Sequence, residues 1–385
     1  MAAALRAVVV GPGYIGPVHI DALRRNGVQV TGLVGSGSDR GIAAAAALGI
    51  PAFATLTDAL GAGPVDCVHI ATPNYLHAPL ALEAIEAGKH VVCEKPLGMT
   101  AAEGEMLLRA AEEAGVVHAV NFNFRFYAMP RQARAMIRAG EIGPVRLIHG
   151  GYLQDWLLRA DDWNWRLDPA LGGSPRAVAD IGSHWMDLMG FVTGQHPAAV
   201  CADLATTVPV RKRPVQAAAT FGGQTGASGA REEVAVRTED YASVLVRFTG
   251  GAHGVFTVSQ VSAGRKNSLR FEIDGGEAAL GWDSERGEEL WIGRRGAPSG
   301  VLPRDLALLD PDARAVTTAP PGHAEGYIET HRALFAAVYR AIAAGGPPEA
   351  PEYPTFADGL RSLRLCEAVV RSAEDERWVE TGGAA

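Results

Sequence analysis

Short apolar runs alternate with helix-period segments over roughly the first third of the chain. Residues 8–10, 67–71 and 91–93 are apolar at nearly every position, without the alternation of a half-exposed strand. Such runs are typical of parallel strands that are covered on both faces. Between them, segments such as 76–87 place apolar residues along one face of a helix. This pattern predicts an amino-terminal, doubly wound α/β domain with a parallel sheet.

From about residue 195 the pattern changes to strands with one wet face. Residues 268–274 alternate polar and apolar cleanly, and 241–248, 255–261 and 290–292 are similar candidates. Strict alternation is typical of an antiparallel sheet with one solvated side. The chain therefore predicts a carboxyl-terminal α/β domain with a large, open, mainly antiparallel sheet.

The expected domain boundary falls near residue 124. We assign 1–124 to a first domain and 125–385 to a second, with a last helix at about 356–373 packing back towards the first. Residues 211–230 combine a basic segment with a Gly/Ala/Ser-rich run, which indicates a mobile loop or hairpin tip. We assign this loop no function.

Composition limits the partners and the compartment. The 385 residues are 48% hydrophobic and carry a formal net charge of −8. That acidity argues against nucleic acid as the main partner, since phosphate binding needs basic surface. Four widely separated cysteines favour a reduced, cytoplasmic setting over a disulfide framework. The first strand begins too early for a cleavable signal peptide, and no apolar run is long enough to cross a bilayer.

A glycine motif directly follows the first strand. Gly11, Gly13 and Gly16 form G-x-G-x-x-G, with Tyr14 and Ile15 inside it, and a helical pattern begins at once. In this context the first glycine permits a tight turn, the second lets a pyrophosphate approach, and the third allows close packing of helix on strand. The helix amino terminus adds N–H groups for phosphates. The motif predicts a dinucleotide site, with a ligand-free glycine turn as the alternative.

The end of the second strand bears on the choice of cofactor. NAD sites usually have an acidic residue there, which binds the ribose 2′-hydroxyl. Here Gly35 and Ser36 stand at the expected place, and Asp39 and Arg40 follow a little later. Small hydroxyls and an arginine suit a 2′-phosphate, so the pattern leans towards NADP. NAD is the alternative, because a shift in loop register would bring the carboxylate of Asp39 to the ribose.

Two polar segments follow strands at the same predicted edge, where open α/β sheets bind ligands. They are Ala71-Thr72-Pro73-Asn74 and Glu94-Lys95-Pro96. A nicotinamide ring would pass over the first segment. The second presents an amine that, partly desolvated, suits proton transfer near neutral pH. A surface salt bridge at a strand end is the competing interpretation. His69 and His77 are expected to be packing or surface residues rather than ligands.

The second domain holds a carboxylate and an imidazole at helical spacing. Asp180 and His184 are four residues apart, so on a helix their side chains share one face. A carboxylate beside an imidazole orients it and stabilises its protonated form, as a general base requires. Metal ligation and a helix cap with a structural histidine are the alternatives. Because no third His or Cys ligand lies at a recognisable spacing, we predict no metal site.

Aromatic residues cluster shortly before that pair. Trp156, Trp163 and Trp165 lie among polar neighbours that include Arg166. Aromatic faces interleaved with polar groups suit a sugar ring, which offers an apolar face and many hydroxyls. For any single tryptophan, an aromatic core loop is at least as good an interpretation.

Three motifs together resemble the Gfo/Idh/MocA family of glucose–fructose oxidoreductases and inositol dehydrogenases. They are the glycine motif at 11–16, the segment 71–74 with His77, and the run 87–97 that contains Glu-Lys-Pro. The resemblance is strong over residues 5–150 and continues in patches to the carboxyl end. It implies a Rossmann domain, a nicotinamide cofactor contacted by these segments including His77, and a catalytic Lys95. Family members carry a similar Asp-x-Gly-x-His motif in the active site, which matches Asp180 and His184.

The resemblance also implies a function and an assembly. We expect an NAD(P)-dependent dehydrogenase that moves hydride between nicotinamide and a hydroxyl carbon of a sugar, sugar derivative or inositol-like polyol. His184, oriented by Asp180, would take the hydroxyl proton, and Lys95 would hydrogen-bond the same oxygen above one nicotinamide ring. Family members commonly associate through the C-terminal sheet, which predicts a homodimer or homotetramer.

Substrate contacts are predicted in both domains. They are Lys95, Asn123, Arg125, Trp156, Trp163, Trp165, Arg166, Asp180, His184 and His323. His323 resembles part of a motif of the family's sugar-handling members, and a loop histidine without a role is the alternative. Two rival functions stay open: an NAD-dependent glycoside hydrolase that oxidises its substrate transiently, and a non-catalytic protein that senses NAD(P) or sugar.

Overall fold

The computed structural model describes residues 4–215 and 230–382, which divide into two compact units. Unit 1 comprises the described residues up to Asn121 together with His331–Leu363, and unit 2 comprises Phe122–Thr330 and the described residues from Arg364. The expected division assigned all of 125–385 to the second domain. In the structure, the segment 331–363 instead belongs to unit 1.

Unit 1 contains a six-stranded parallel sheet. Its elements in chain order are β1 (Arg6–Val10), α1 (Ile15–Arg25), β2 (Gln29–Val34), α2 (Asp39–Leu48), β3 (Ala52–Phe53), α3 (Leu56–Gly61), β4 (Cys67–Ile70), α4 (His77–Glu86), β5 (His90–Cys93), α5 (Ala101–Glu113) and β6 (His118–Val120). The strand order is β3-β2-β1-β4-β5-β6, and every pair is parallel. The predicted doubly wound sheet is confirmed.

The buried strands explain the continuous apolar runs. Val8, Val9, Val68, Val91 and Val92 are all fully buried. A parallel sheet of this order has helices on both faces, so both faces of its strands favour apolar residues. Between β1 and β4 the strand order reverses, and the carboxyl ends of the strands form the edge where such sheets bind ligands.

Unit 2 is organised around a nine-stranded sheet. The elements that follow β6 in the chain are α6 (Ala128–Arg138), β7 (Val145–Leu153), α7 (Pro169–Gly172), α8 (Ser183–Thr193), β8 (Pro197–Ala205), β9 (Val210–Pro214), β10 (Arg231–Ala235), β11 (Tyr241–Phe248), β12 (His253–Ser259), β13 (Ser268–Gly275), β14 (Ala278–Asp283), β15 (Glu289–Arg294), β16 (Gly300–Pro303), α9 (Pro311–Arg314), α10 (Tyr327–Ala343), α11 (Phe356–Asp375) and β17 (Val379–Glu380). The sheet order is β16-β15-β14-β13-β7-β12-β11-β8-β17. Only β7 and β12 pair in parallel among these neighbours, so the predicted mainly antiparallel sheet is confirmed.

The predicted loop at 211–230 is partly a hairpin. β9 and β10 pair antiparallel, with Val210 opposite Ala235. Residues 216–229, which form the centre of that predicted loop, lie outside the described residues.

Two helices belong partly to each unit. In unit 1, the first part of α11 packs against α5, where a Cβ added at Gly104 would lie 2.8 Å from Leu363 Cδ1. At Gly359 an added Cβ would lie 2.9 Å from the Cβ of Leu97, just after the Glu-Lys-Pro turn. The residues of this helix up to 363 therefore support the edge that carries that turn.

No helix in the described ranges is long and apolar enough to cross a membrane.

Candidate active site

The glycine turn in unit 1 leaves space for a phosphate. Gly11 has a φ of 115°, and a Cβ there would lie 2.3 Å from the carbonyl oxygen of Ala71. A Cβ at Gly16 would lie 2.1 Å from the Gly11 carbonyl oxygen, whereas one at Gly13 would meet no atom within 4 Å. Packing therefore requires Gly11 and Gly16, while Gly13 faces open space of the kind a pyrophosphate fills. Tyr14, inside the motif, is 53% exposed.

The end of β2 carries hydroxyls and no carboxylate. Gly35 follows the strand, and its carbonyl oxygen accepts from the hydroxyls of Ser36 and Ser38 at 2.7 and 3.0 Å. Ser36 has a φ of 55°, in the left-handed region that few non-glycine residues adopt. Asp39 and Arg40 begin α2 and are exposed. This arrangement places hydroxyls at the end of β2, with an exposed acid and an exposed arginine beside them at the start of α2.

Two buried polar atoms mark the other half of the edge. Among the described residues, Thr72 Oγ1 after β4 and Asn121 Oδ1 after β6 have no hydrogen-bond partner. Buried polar atoms are rarely left unsatisfied in proteins. The nicotinamide half of a dinucleotide lies over this half of a doubly wound sheet, and its carboxamide offers both a donor and an acceptor. The residues present therefore fit a nicotinamide cofactor.

His77 connects the two polar segments of the edge. The ring is fully buried, with Nδ1 2.7 Å from the Pro96 carbonyl oxygen and Nε2 2.9 Å from the Thr72 carbonyl oxygen. Burial lowers the pKa of His77, although the two carbonyl hydrogen bonds oppose that shift. Both ring nitrogens face the protein backbone, which supports a role in holding the two turns together.

Glu94 lies in a buried hydrogen-bond network that the sequence did not reveal. Its Oε1 is 3.1 Å from His19 Nε2 and accepts from Asn121 Nδ2 at 2.5 Å. His19 Nδ1 lies 3.2 Å from His69 Nδ1, and His69 Nε2 lies 3.1 Å from the Tyr339 hydroxyl. Glu94 is only 8% exposed, so a surface salt bridge does not describe this position. The available signal was that His19 follows the glycine motif on the buried face of α1.

Lys95 projects from a turn that its neighbours hold in place. Its backbone N–H donates to Glu94 Oε2 at 3.3 Å, and the Lys95–Pro96 peptide bond is cis. Leu97, two residues later, is fully buried. The turn thus fixes the backbone of a half-buried amine at the carboxyl end of β5.

In unit 2, Asp180 lies in a π-helical turn, Val178–Gly182, immediately before α8. This differs from the expected α-helix at Asp180, whereas His184 lies in the α-helix that follows. The Asp180 carboxylate accepts from Arg166 Nε at 3.1 Å and from Gln260 Nε2 at 2.8 Å. Gln260 in turn accepts from Arg176 Nη1 through its Oε1 at 2.9 Å. Because arginine only donates, this contact fixes the Gln260 amide with its NH₂ group towards Asp180.

His184 stands near the start of α8 among aromatic rings. It is 7% exposed, and its ring centroid lies 5.0 Å from that of Phe124 and 5.9 Å from that of Phe122, both edge-on. Tyr152 of β7 is a third neighbour, with ring centroids 6.2 Å apart. The imidazole therefore sits in an apolar aromatic pocket of unit 2, which restricts its motion and its access to water.

The end of β7 carries a polar chain that sequence reasoning also missed. The Tyr152 hydroxyl donates to Asn267 Oδ1 at 2.5 Å, and Gln154 Nε2 donates to the same oxygen at 3.0 Å. Trp156 Nε1 donates to Gln154 Oε1 at 2.8 Å. Burial raises the pKa of Tyr152 well above its usual range, and the charge of Asp180 adds to that shift. Tyr152 is thus a neutral hydroxyl beside His184, and the spacing of Tyr152, Gln154 and Trp156 by two residues at the end of β7 was the available signal.

The three tryptophans have different surroundings. Trp156 belongs to an apolar cluster with Leu157, Leu167 and Val236, and Trp163 packs against it. For these two, the structure supports the aromatic core loop. Trp165 stacks on the Arg166 guanidinium, 4.4 Å from the ring centroid, and Arg166 bonds Asp180. Trp165 and Arg166 therefore remain beside the carboxylate.

Two of the other predicted substrate contacts have structural partners within unit 2. Asn123 donates to the Thr330 hydroxyl at 2.8 Å. Arg125 makes two hydrogen bonds to Asp187, Nε to Oδ2 at 2.8 Å and Nη2 to Oδ1 at 2.5 Å. His323 is exposed on a loop. These contacts support structural roles for Asn123 and Arg125, and nothing in the described chain ties His323 to the other predicted residues of unit 2.

A group of side chains that could hold a metal lies elsewhere, on β7 and β13. His149, Glu272 and Asp274 bring one potential ligand atom each within 4.8 Å of one another. His149 Nε2 is 3.5 Å from Asp274 Oδ2, and both side chains are partly exposed. No predicted site residue belongs to this group.

Comparison with known families and relatives agrees with this geometry. Residues 5–122 match the model of an oxidoreductase family described as an NAD-binding Rossmann fold, and 130–280 match the GFO/IDH/MocA C-terminal domain. A levoglucosan dehydrogenase of Pseudarthrobacter phenanthrenivorans is 33% identical over 331 residues, which cover 82% of this chain and 80% of the relative.

Solved structures extend the similarity over nearly the whole chain. A levoglucosan dehydrogenase in complex with NADH and L-sorbose has a TM-score of 0.87 at 29% identity, covering 98% of each chain. An inositol dehydrogenase homologue of Azotobacter vinelandii, complexed with NAD⁺, has a TM-score of 0.84 at 27% identity, covering 99% of this chain and 98% of the other. With both halves of the chain matched by family models and the dinucleotide edge formed as the motifs predict, this protein belongs to the GFO/IDH/MocA family of NAD-binding oxidoreductases.

Proposed function

We propose that the protein is an NAD(P)-dependent dehydrogenase of a sugar, a sugar derivative or an inositol-like polyol. The supporting observation is the edge of unit 1, where open space at Gly13 and unsatisfied atoms at Thr72 and Asn121 accompany Lys95. The substrate class is supported by the relatives, which include levoglucosan and inositol dehydrogenases.

In the proposed mechanism the cofactor, when bound, accepts or delivers the hydride. His184 accepts the proton of the reacting hydroxyl, and its aromatic pocket keeps the ring in one orientation. Lys95 donates a hydrogen bond to the same oxygen and stabilises the negative charge that develops there. Asp180, held by Arg166 and Gln260, supports the protonated imidazole.

Substitution of the two catalytic candidates tests the mechanism. Lys95→Ala and His184→Ala should each lower kcat by about a hundredfold or more, the usual size for lost acid–base catalysis. NADH affinity, measured by fluorescence titration, should change little. Lys212→Ala on the exposed part of β9 is a matched control and should retain full turnover. Near-normal turnover in either catalytic variant would remove that residue from the mechanism.

A double variant tests whether the two groups act on one reaction step. If Lys95 and His184 serve the same proton transfer, the loss in the double variant should be much smaller than the product of the single losses. Multiplicative losses would instead indicate independent roles. The substrates for these assays are levoglucosan, L-sorbose and inositol, each with NAD and with NADP.

The same assay separates the rival functions. A dehydrogenase accumulates NAD(P)H, whereas a glycoside hydrolase that oxidises transiently regenerates its cofactor and releases an aglycone. A sensor binds NAD(P) or sugar without turnover. Retention of both Lys95 and His184 favours a dehydrogenase over a sensor.

For the cofactor we propose that NADP is accepted in preference to NAD. The support is the absence of a carboxylate at Gly35 and Ser36 and the exposed guanidinium of Arg40 nearby. Arg40→Ala should lower kcat/KM for NADP by about tenfold, the size of a lost exposed phosphate contact, and leave NAD unaffected. Equal effects on both cofactors would place Arg40 outside the 2′-phosphate site.

We further propose that the protein forms a homodimer or homotetramer through the nine-stranded sheet. The strand register puts Leu147, Leu245, Val255, Trp291 and Val301 on one face, and all five are at least a third exposed. The polar side chains of His149, Glu272 and Asp274 lie between them on the same face. Exposed apolar residues gathered on one sheet face are typical of an interface. Leu245→Glu should shift the sedimentation coefficient towards that of a monomer, and an unchanged coefficient would exclude this face.

A cytoplasmic location is proposed from the cysteines. Cys67, Cys93, Cys201 and Cys366 are free thiols, and all except Cys201 are buried. Free thiols are usual in a reducing compartment. Fractionation of producing cells, followed by immunoblotting, checks this location.

A further inference from the structure

Glu94 is a buried carboxylate in the nicotinamide half of unit 1. It follows β5 and precedes Lys95, and Thr72 and Asn121, with their unsatisfied atoms, follow the strands on either side. The hydride transfer proposed above assigns no chemical step to a carboxylate at this position. Since a buried carboxylate is unfavourable unless it is hydrogen-bonded or paired, its surroundings require an explanation.

These surroundings keep Glu94 ionised. Its Oε1 accepts a hydrogen bond from the Asn121 amide and faces His19 Nε2, and its Oε2 accepts one from the backbone N–H of Lys95. Burial opposes ionisation, but the hydrogen bond and charge of His19, the charge of Lys95 and the Asn121 amide outweigh it. Together they hold the pKa of the Glu94 carboxyl well below its usual range.

His19 is held in position from its other side. Its Nδ1 lies 3.2 Å from His69 Nδ1, so one proton must lie between the two nitrogens. Burial and the charge of His19 lower the pKa of His69, so His69 is the neutral partner. His69 Nε2 then meets the Tyr339 hydroxyl, and the Phe335 ring packs edge-on against His19 at 4.8 Å. A continuous hydrogen-bonded chain thus anchors Glu94 to the interior of unit 1.

We propose, on the basis of the dehydrogenase function above, that Glu94 is a fixed anion that favours the oxidised, cationic nicotinamide ring over the neutral reduced ring. The two forms of the cofactor differ at that ring by one positive charge. A carboxylate at a partly desolvated edge lowers the free energy of the cationic form, and a neutral amide of the same shape does not. Glu94 therefore sets the relative affinity for NAD(P)⁺ and NAD(P)H, and His19 is the positioning residue that keeps Glu94 charged.

Equilibrium binding of the two cofactor forms tests the proposal. Dissociation constants for NAD⁺ and NADH are measured by calorimetry and by fluorescence on the wild-type protein and on Glu94→Gln. The ratio Kd(NAD⁺)/Kd(NADH) should rise by about tenfold or more, the order expected when one charge interaction at a partly desolvated site is lost. Glu86→Gln, at the exposed end of α4, is the control and should leave the ratio unchanged.

A purely structural role for Glu94 would weaken both affinities equally, and an unchanged ratio would overturn the proposal. If the wild-type protein binds neither the oxidised nor the reduced form of NAD or of NADP, the proposed function fails instead, so the two failures are distinguishable.

A second variant tests the role of His19 and does not depend on Glu94→Gln folding. In His19→Asn the charge of His19 no longer opposes the effect of burial, which raises the pKa of Glu94. The Glu94 carboxyl should therefore take up a proton as the pH falls. The ratio Kd(NAD⁺)/Kd(NADH) of this variant should then rise as the pH is lowered from about 8 to about 5, while the wild-type ratio stays constant. His69 and His331 also face His19, with ring centroids 5.3 and 6.1 Å away, and the ring of His77 interacts with the charge of Glu94. The same rise in the wild-type protein would assign the pH dependence to those rings and overturn the role of His19.

Discussion

Two glycines of the same motif should respond in opposite ways to the addition of one methyl group. A Cβ at Gly16 would lie 2.1 Å from the Gly11 carbonyl oxygen, a backbone atom that no side-chain rotation can move. A Cβ at Gly13 would meet nothing within 4 Å, and its φ is not in the left-handed region. Gly16→Ala therefore perturbs the fold, and Gly13→Ala fills the space that a pyrophosphate needs.

The contacts set the expected magnitudes. Overpacking of a close contact destabilises by about 1–3 kcal/mol, and the backbone neighbour at Gly16 places this case at the upper end. The gain from alanine in a helix, at most about 1 kcal/mol, offsets only part of it. At Gly13, alanine should leave the free energy of unfolding unchanged or raise it by up to about 1 kcal/mol. The effect of Gly13→Ala should appear instead as roughly ten- to a hundredfold weaker NADH binding, equivalent to about 1.4–2.8 kcal/mol.

Urea unfolding and NADH titration on the same preparations measure both quantities. The expected result is a crossed pattern, with Gly16→Ala less stable and Gly13→Ala weaker in NADH binding. Equal destabilisation by both changes would show that Gly13 has a packing role. Wild-type NADH affinity in Gly13→Ala would show that the open space at this turn is not a phosphate site.

Three further substitutions test other parts of the structure. Arg125→Ala leaves the buried Asp187 carboxylate without its bidentate partner, which should lower the free energy of unfolding in urea by about 3 kcal/mol or more. Burial lowers the pKa of His118 from 6.5 to about 4. As the pH falls from 6.5 to about 4, the His118 imidazole therefore takes up a proton in the unfolded chain before it does so in the folded protein, and the free energy of unfolding should decrease. His118→Gln should flatten the pH dependence of the urea midpoint there, and an unchanged slope would assign it to other groups. Gln260→Glu places a second carboxylate against Asp180, and steady-state kinetics should show a lower kcat with NADH affinity unchanged.

The sequence predicted the parallel sheet and the glycine turn because both are encoded locally. Continuous apolar runs identify strands that are buried on both faces, whatever their order in the sheet. The spacing of Gly11, Gly13 and Gly16 identifies a turn whose backbone geometry only glycine permits at its crowded positions. The alternation in residues 268–274 likewise predicted an open sheet from neighbouring residues alone.

Networks between distant residues were not predictable in this way. His19 and Glu94 are separated by 75 positions, and Gln260 and Asp180 by 80. No periodicity connects such pairs, because the sheet order and the packing of helices decide which side chains meet. The same holds for Arg125 and Asp187, which lie 62 positions apart and are hydrogen-bonded.

By itself, therefore, the sequence determined the two sheets, the dinucleotide turn and the family, all of which depend on residue types at short, regular spacings. Only the tertiary structure decided that residues 331–363 belong to unit 1, that Asp180 stands in a π turn, and that Glu94 is held by His19. These features depend on which buried groups find partners across long stretches of chain, and that choice follows from packing and desolvation rather than from local propensity.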